Sequence, residues 1–439
     1  IHKQNRLDCT AAGAFHLRMQ SRPGSFWILY LILAILILLR LFAFLTGFGP
    51  LWGVSSLIFL PVEYVIAYCV LGAITLTLPF TSMASVWGAA LADRFSLANF
   101  DGKLGIGVRI GLAAICGVLF WLFSMPTHFL GDGYPYLANL GSATGNWVKW
   151  SEGGAMQAVL ALQSVIGKTS KDSAELAFRI LSVGSGVVTV WFFLLIVRVI
   201  SDDPVKRLLV FVALVITPSL LLFFGYVESY PLMWGPIAGF LYFALRYLNS
   251  GNGMAGAAIC LLLATVAHLQ ALLFYPSFLY VLFSRGKSRE LVMRFKLVAI
   301  FAGLAVLAVF GVLFYRQYTG NLYFENLFLW PFKGKPSAPG YAMFSPSHLR
   351  DILNEILLVS PLLPFLLVLS WSGFKKMFRE PATAWLAVMS VPALLFLLVF
   401  DPSLSMPRDW DLFAICLLPI TLLVVSVIPK RPLAAAAPL

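Results

Sequence analysis

Carboxylates are scarce in this chain, with 19 Asp and Glu in 439 residues, so where they fall is informative. Asp132 sits in Phe129-Leu130-Gly131-Asp132-Gly133-Tyr134, directly after an apolar run. A carboxylate where an apolar helix ends is costly to desolvate unless it has a partner or a task. Glu228 lies in Gly225-Tyr226-Val227-Glu228-Ser229-Tyr230-Pro231, a short turn between two apolar runs, and Asp409 and Asp411 lie in Met406-Pro407-Arg408-Asp409-Trp410-Asp411, where the last such run begins. A positioned carboxylate can take a proton from a hydroxyl as general base. An arginine such as Arg408 pairs well with phosphate oxygens. The Asp409-x-Asp411 spacing offers two oxygens to a hard divalent cation such as Mg or Mn, a pattern of low specificity. Each group also has a plainer role. Asp132 before Gly-Tyr-Pro forms turns, Glu228 can cap a helix N-terminus, Arg408 to Asp411 can be a local ion pair, and His268 and Glu152 can be packing groups.

The elements that must carry these residues follow from composition. The chain is 60% hydrophobic and only 11% charged, with a mean hydropathy of +0.89, whereas soluble domains carry about 25% charged residues. This is an all-α, polytopic membrane protein. The net charge of +12 is spread over short loops between apolar runs, which fits membrane topology and excludes a nucleic-acid partner. Cys9, Cys69, Cys116, Cys260 and Cys416 form no disulfide framework and are expected as free thiols. No HExxH, paired CxxC, P-loop or strand-linked GxGxxG occurs, so ATP-driven and zinc-protease chemistries lack support.

Spans of roughly 20 apolar residues fall near 26–46, 54–78, 104–125, 176–198, 207–224, 231–248, 297–315, 352–371, 382–400 and 411–428. The first is too long for a secretory signal and reads as a retained helix. The stretch 254–284 reads either as one tilted helix or as two short helices broken at His268-Leu269-Gln270. The positive-inside rule decides. With Lys3, Arg6, Arg18 and Arg22 in the cytoplasm, the loops carrying Arg94 and Lys103, Arg198 to Arg207, and Arg246 also fall inside. Only two short helices also bring in the loops of Arg285 to Lys296 and Lys375 to Arg379, with Lys430 and Arg431. The reading is about 12 transmembrane segments with both termini cytoplasmic. Asp132, Glu152, Glu228, Asp401, Asp409 and Asp411 then lie at the outer face, with His268 at the outer apex of the broken pair. Acids on separate segments reaching one side imply a shared outer pocket. Two outer loops are long: 126–173, with an amphipathic stretch over 155–167 that suits an interfacial helix, and 317–351, rich in aromatics.

The acidic outer loop after an early helix, with a membrane-surface helix behind it, resembles the GT-C superfamily of integral membrane glycosyltransferases. The combination of Gly131-Asp132-Gly133-Tyr134, the Phe224 to Pro231 turn and Arg408-Asp409-Trp410-Asp411 looks like a poorly characterised bacterial branch of it, related to protein O-mannosyltransferases and lipid A aminoarabinose transferases. The resemblance covers roughly 104–428. With the topology above, this gives a cytoplasmic tail (1–25), two extra N-terminal transmembrane helices (26–103), a GT-C-like catalytic module (104–428) and a second cytoplasmic tail (429–439). It departs from the pattern in those extra helices and in a loop with one acid where many relatives carry adjacent acids.

What the resemblance implies is transfer of a sugar from a polyprenyl-phosphate donor to a glycan, lipid or protein acceptor on the periplasmic face of the inner membrane. Asp132 would be the base of an inverting displacement, with Glu228 and Asp409 orienting sugar hydroxyls or a metal. Arg408, Tyr134, His268, Tyr230, Asp411 and Glu152 would contact the donor. Two other classes fit the same composition. A secondary transporter would show internal repeats and mid-membrane binding residues; no repeat is evident and the acids sit at one face. A non-catalytic subunit of a larger membrane complex would need no donor.

Overall fold

The computed structural model describes residues 24–47, 49–81, 102–129, 131–142, 148–167, 169–284, 328–334, 338–402 and 405–429, with a few positions between 86 and 95. The expected span 297–315, the basic loop of Arg285 to Lys296, most of the 317–351 aromatic segment, both tails and Cys9 lie outside the described residues.

The described chain is all-helical. In order it forms α1 (Gly24–Thr46), α2 (Val62–Thr77), α3 (Lys103–Leu122), α4 (Gly133–Leu140), α5 (Gly153–Ile166), α6 (Lys171–Ile200), α7 (Pro204–Val215), α8 (Pro231–Ser250), α9 (Met254–Ala267), α10 (Tyr275–Ser284), α11 (Pro346–Val359), α12 (Leu363–Ser370), α13 (Pro381–Val399) and α14 (Trp410–Ser426). Among the described residues, five helices are long and apolar enough to cross a membrane, or six if the bent pair α11 and α12 is one span. The outward stripe of α1, Ile28, Leu31, Ile35, Leu38, Phe42 and Leu45, is exposed at helical spacing, a surface suited to hydrocarbon. Cys69, Cys116, Cys260 and Cys416 are free.

Three expected spans are broken, each at the residue before a proline, where the α conformation is disfavoured. The helix of 207–224 stops at Val215, Thr217 is extended ahead of Pro218, and a 3-10 turn follows. The span 54–78 divides before Pro61 into a 3-10 segment, Gly49–Phe59, and α2. The span 352–371 bends by 92° between α11 and α12, with Ser360 non-helical ahead of Pro361. The stretch 254–284 is broken at His268, which is extended between α9 and a 3-10 turn.

The core is centred on α14, whose side chains from Trp410 to Val425 are all buried. It packs on α7, α12 and α13, while α6 packs on α3, α5, α7 and α8. Phe193, Phe240, Trp385 and Phe413 are among its fully buried aromatics; the Trp385 indole donates to the Ser277 carbonyl at 2.9 Å. The 3-10 segment after α1 docks on α11. Asn354 accepts from the Gly53 N–H at 3.1 Å and donates to the Pro50 carbonyl at 2.8 Å, and Trp52 donates to Asp351 at 3.1 Å.

The two ends of α14 are polar in opposite senses. At its C-terminus the buried Lys206 ammonium donates to the carbonyls of Ser426 and Ile428 at 2.7 and 3.0 Å. At its N-terminus lies Asp411.

Candidate functional site

Four separated segments meet at the Asp411 end: the Gly131 to Tyr136 turn, the start of α5, the Tyr226 to Tyr230 turn and the first turn of α14. Gly131 shows how closely. Its φ is +73°, a conformation that favours glycine, and a Cβ there would stand 2.6 Å from Glu228 Oε1 and 3.3 Å from Asp411 Oδ2. The Gly131-Asp132 backbone is therefore wedged between two acids contributed by segments about 100 and 280 residues downstream. The Asp132 N–H donates to Glu228 Oε1.

Asp132 is the N-cap of α4, yet its side chain makes no cap bond. Instead Oδ2 receives the Lys149 ammonium at 2.5 Å, and the side chain stays one-third exposed. Tyr136, one turn along α4, donates to Glu152 Oε1 at 2.5 Å. Glu152, the buried N-cap of α5, likewise makes no cap bond and lies 3.8 Å from Lys149. Lys149 thus links both carboxylates and also reaches the Tyr136 hydroxyl at 3.3 Å. The turn is fixed from behind by an apolar cluster of Tyr136, Leu137, Leu140, Met156, Val159, Ala177, Phe178 and Val227. The amphipathic stretch 155–167 forms α5 and packs its apolar face there. Gln163 donates to the carbonyls of Leu140 and Ser170, both at 3.1 Å.

Electrostatics set the acids apart. Burial, and then the charge of Asp411, raise the Glu228 pKa well above the usual glutamate range, against the lowering effect of the Asp132 N–H. Burial pushes the Lys149 ammonium down, but Glu152, Asp132 and Glu228 outweigh it and hold its pKa above the lysine norm. Asp411 is buried; Oδ2 accepts from Tyr226 at 3.1 Å and Oδ1 from the Leu412 N–H at 3.0 Å. Ser405 enters the left-handed region (φ +72°), and its carbonyl accepts the N–H groups of Arg408 and Asp409, closing the turn that delivers Asp411.

His268 lies beside the cluster, its ring 4.9 Å from that of Tyr230. Its Nδ1 accepts from the Gln270 N–H at 3.1 Å, so the neutral ring carries its proton on Nε2. Burial, helped by the Lys149 charge, lowers its pKa to about 4.

Of the residues singled out from sequence, Asp132, Glu152, Glu228 and Asp411 are brought together, with His268 and Tyr230 alongside. Asp409 is half-buried as the N-cap of α14. Tyr134 is exposed, edge-on to His128 and Phe129 with centroids at 5.7 and 5.0 Å. Arg408 is exposed, and the cation on Asp132 is Lys149, which the sequence reading overlooked. Tyr136 and Tyr226 were missed too. Tyr136 was recoverable from its spacing, since position i+4 lies one helical turn from Asp132. Asp409 and Asp411 offer two carboxylates, short of the roughly six oxygens a Mg or Ca ion takes, and among the described residues no three His, Cys, Asp or Glu side chains gather as a metal site.

The chain matches no family model, no curated protein and no solved structure.

Proposed function

We propose that the protein is a cell-membrane glycosyltransferase of GT-C type, moving a sugar from a polyprenyl-phosphate donor to an acceptor on the outer face, in a fold of about 12 transmembrane segments with both termini cytoplasmic. The observation that carries this reading is the convergence of Asp132, Glu152, Glu228 and Asp411 on the Gly131-Asp132 turn, with Lys149 linking Asp132 and Glu152, at one end of an apolar helical bundle. Separate segments gather ionisable groups there at a desolvation cost that a purely structural turn would avoid.

In this mechanism Asp132 is the base. It takes the proton of the acceptor hydroxyl as that oxygen bonds to the anomeric carbon. The bond from that carbon to the phosphate oxygen breaks, the electron pair leaves with polyprenyl phosphate, and the sugar inverts. Lys149 holds the Asp132 carboxylate in position, and Lys149 with Arg408 at the rim meets the leaving phosphate. Glu228 and Asp411 hold the Gly131-Asp132 backbone in register, and Glu152 fixes Lys149 through Tyr136.

The test is donor turnover by the purified protein in lipid nanodiscs, with a radiolabelled short-chain polyprenyl-phosphate hexose and a membrane extract as acceptor. The wild type should release prenyl phosphate, and Asp132→Asn should not while eluting as the same species. Cysteines introduced within 126–173 should react with an impermeant reagent from outside only. A wild type that turns over no such donor but moves solute into proteoliposomes would transfer the site to a transporter.

A further inference from the structure

Around the first turn of α14, several buried side-chain atoms find no hydrogen-bond partner among the described residues: Ser229 Oγ, Gln270 Oε1, Trp410 Nε1 and both oxygens of Glu355. They sit on four different segments: Ser229 in the Tyr226 to Tyr230 turn, Gln270 just after the break at His268, Glu355 on α11, which packs on α14, and Trp410 on α14 itself. Ser229 follows Glu228, and Trp410 precedes Asp411 with its ring 6.0 Å from that of Tyr226. Gln270 uses its amide N–H on the Leu412 carbonyl at 2.5 Å, leaving its oxygen over. Glu355, on α11 just before the 92° bend, is completely buried and feels the negative charges of Asp411 and Asp409. Buried polar groups are almost always paired, and an unpaired one costs stability, more so for a carboxyl. Five of the ten such atoms belong to these four residues, and they call for a partner that the described residues do not supply.

The types of atom identify that partner. Trp410 Nε1 only donates, Gln270 Oε1 only accepts, Ser229 does both, and Glu355 mainly accepts. A phosphate accepts hydrogen bonds without donating and would meet the acids with like charge. A metal ion would answer the oxygens and leave the indole N–H unpaired. A group with several hydroxyls donates and accepts at once and answers all four residues.

We infer that Glu355, with Gln270, Trp410 and Ser229, forms a subsite for a polyhydroxylated group, the sugar of the donor. This inference rests on the donor reading above and extends the site inward from the Asp132 turn. Glu355 and Gln270 accept from sugar hydroxyls, and Trp410 donates to one.

Thermal shift and titration of the full chain in nanodiscs test it with two probes, a short-chain polyprenyl-phosphate hexose and the same polyprenyl phosphate without sugar. In the wild type the hexose probe should bind at least tenfold more tightly. Glu355→Leu should raise the melting temperature of the ligand-free protein, because it removes an unpaired buried carboxyl. It should also abolish the sugar-dependent increment while leaving the bare polyprenyl phosphate bound as before. Glu355→Gln, which keeps the shape and an acceptor, should retain part of the increment. An intact increment in Glu355→Leu overturns this inference and leaves the donor reading standing. A wild type that binds neither probe removes both.

Discussion

The two ends of α14 bury opposite charges by opposite means. At the C-terminus, Lys206 places its ammonium on two free carbonyls and is satisfied. Cations belong there by the helix dipole, so the arrangement is complete in itself. At the N-terminus, Asp411 also has the sign that the dipole favours. It stands against Glu228, a second buried acid, with Asp132 and Glu152 linked by one lysine and with unpaired polar atoms around it. One end has been closed for stability, while the other keeps like charges together and hydrogen-bonding capacity unused. That asymmetry is the observation on which the proposed site rests.

Substitutions can break this comparison, and the largest effect is expected at the acid end. Asp132→Asn should lower transfer by about 10² to 10⁴-fold, the usual worth of a general base. The unfolding midpoint should move little, because the Asp132–Lys149 pair is partly exposed and such pairs contribute about 0–1 kcal/mol. Unchanged turnover would remove Asp132 as the base.

Next is a pH effect. The His268 pKa falls from 6.5 in the unfolded chain to about 4 in the fold, so the folded state binds fewer protons. Stability from this residue is full above the unfolded value and is lost as pH falls towards about 4. By linkage the loss is roughly 3 kcal/mol. His268→Gln should flatten the decline in melting temperature over that window, and an equally steep decline would place the titrating group elsewhere. Glu228 has the opposite sign: its raised pKa favours the fold at low pH, and its contribution is lost as pH rises through the folded value.

At the other end, Lys206→Met should cost about 2 kcal/mol, the worth of charged hydrogen bonds, and leave donor binding by the folded protein unchanged. A binding defect there would show that the two ends are coupled. The smallest change is Gly131→Ala, which meets Glu228 Oε1 and a strained φ. It should cost about 1–2 kcal/mol in stability and should reduce turnover by displacing Asp132, detectable as a lower kcat at similar donor affinity.

The legibility of the chain varied with the kind of residue. Asp132, Glu152, Glu228 and Asp411 were readable because an acid beside an apolar run is conspicuous. Glu355 carries a related signal, but it lies inside the expected span 352–371 rather than at its end, where topology gathers the other acids. Lys149 was hidden among loop lysines, since nothing local tells a solvated lysine from one held between two carboxylates. Prolines were equally ambiguous. Pro218 and Pro361 follow helix breaks, whereas Pro236, Pro392 and Pro419 lie inside α8, α13 and α14. A proline ends a helix or is accommodated according to how its surroundings satisfy the freed backbone groups.

By itself, the sequence determined that this is an apolar, helical, membrane-type chain with most of its acids outside its apolar runs, because burial and backbone hydrogen bonding in an apolar medium allow little else. Only the tertiary structure decided which acids meet, that Lys149 pairs with Asp132, and that α11, which carries Glu355, packs on α14 ahead of its 92° bend with α12. Those outcomes depend on contacts between segments up to a few hundred residues apart, and local pattern carries no information about them.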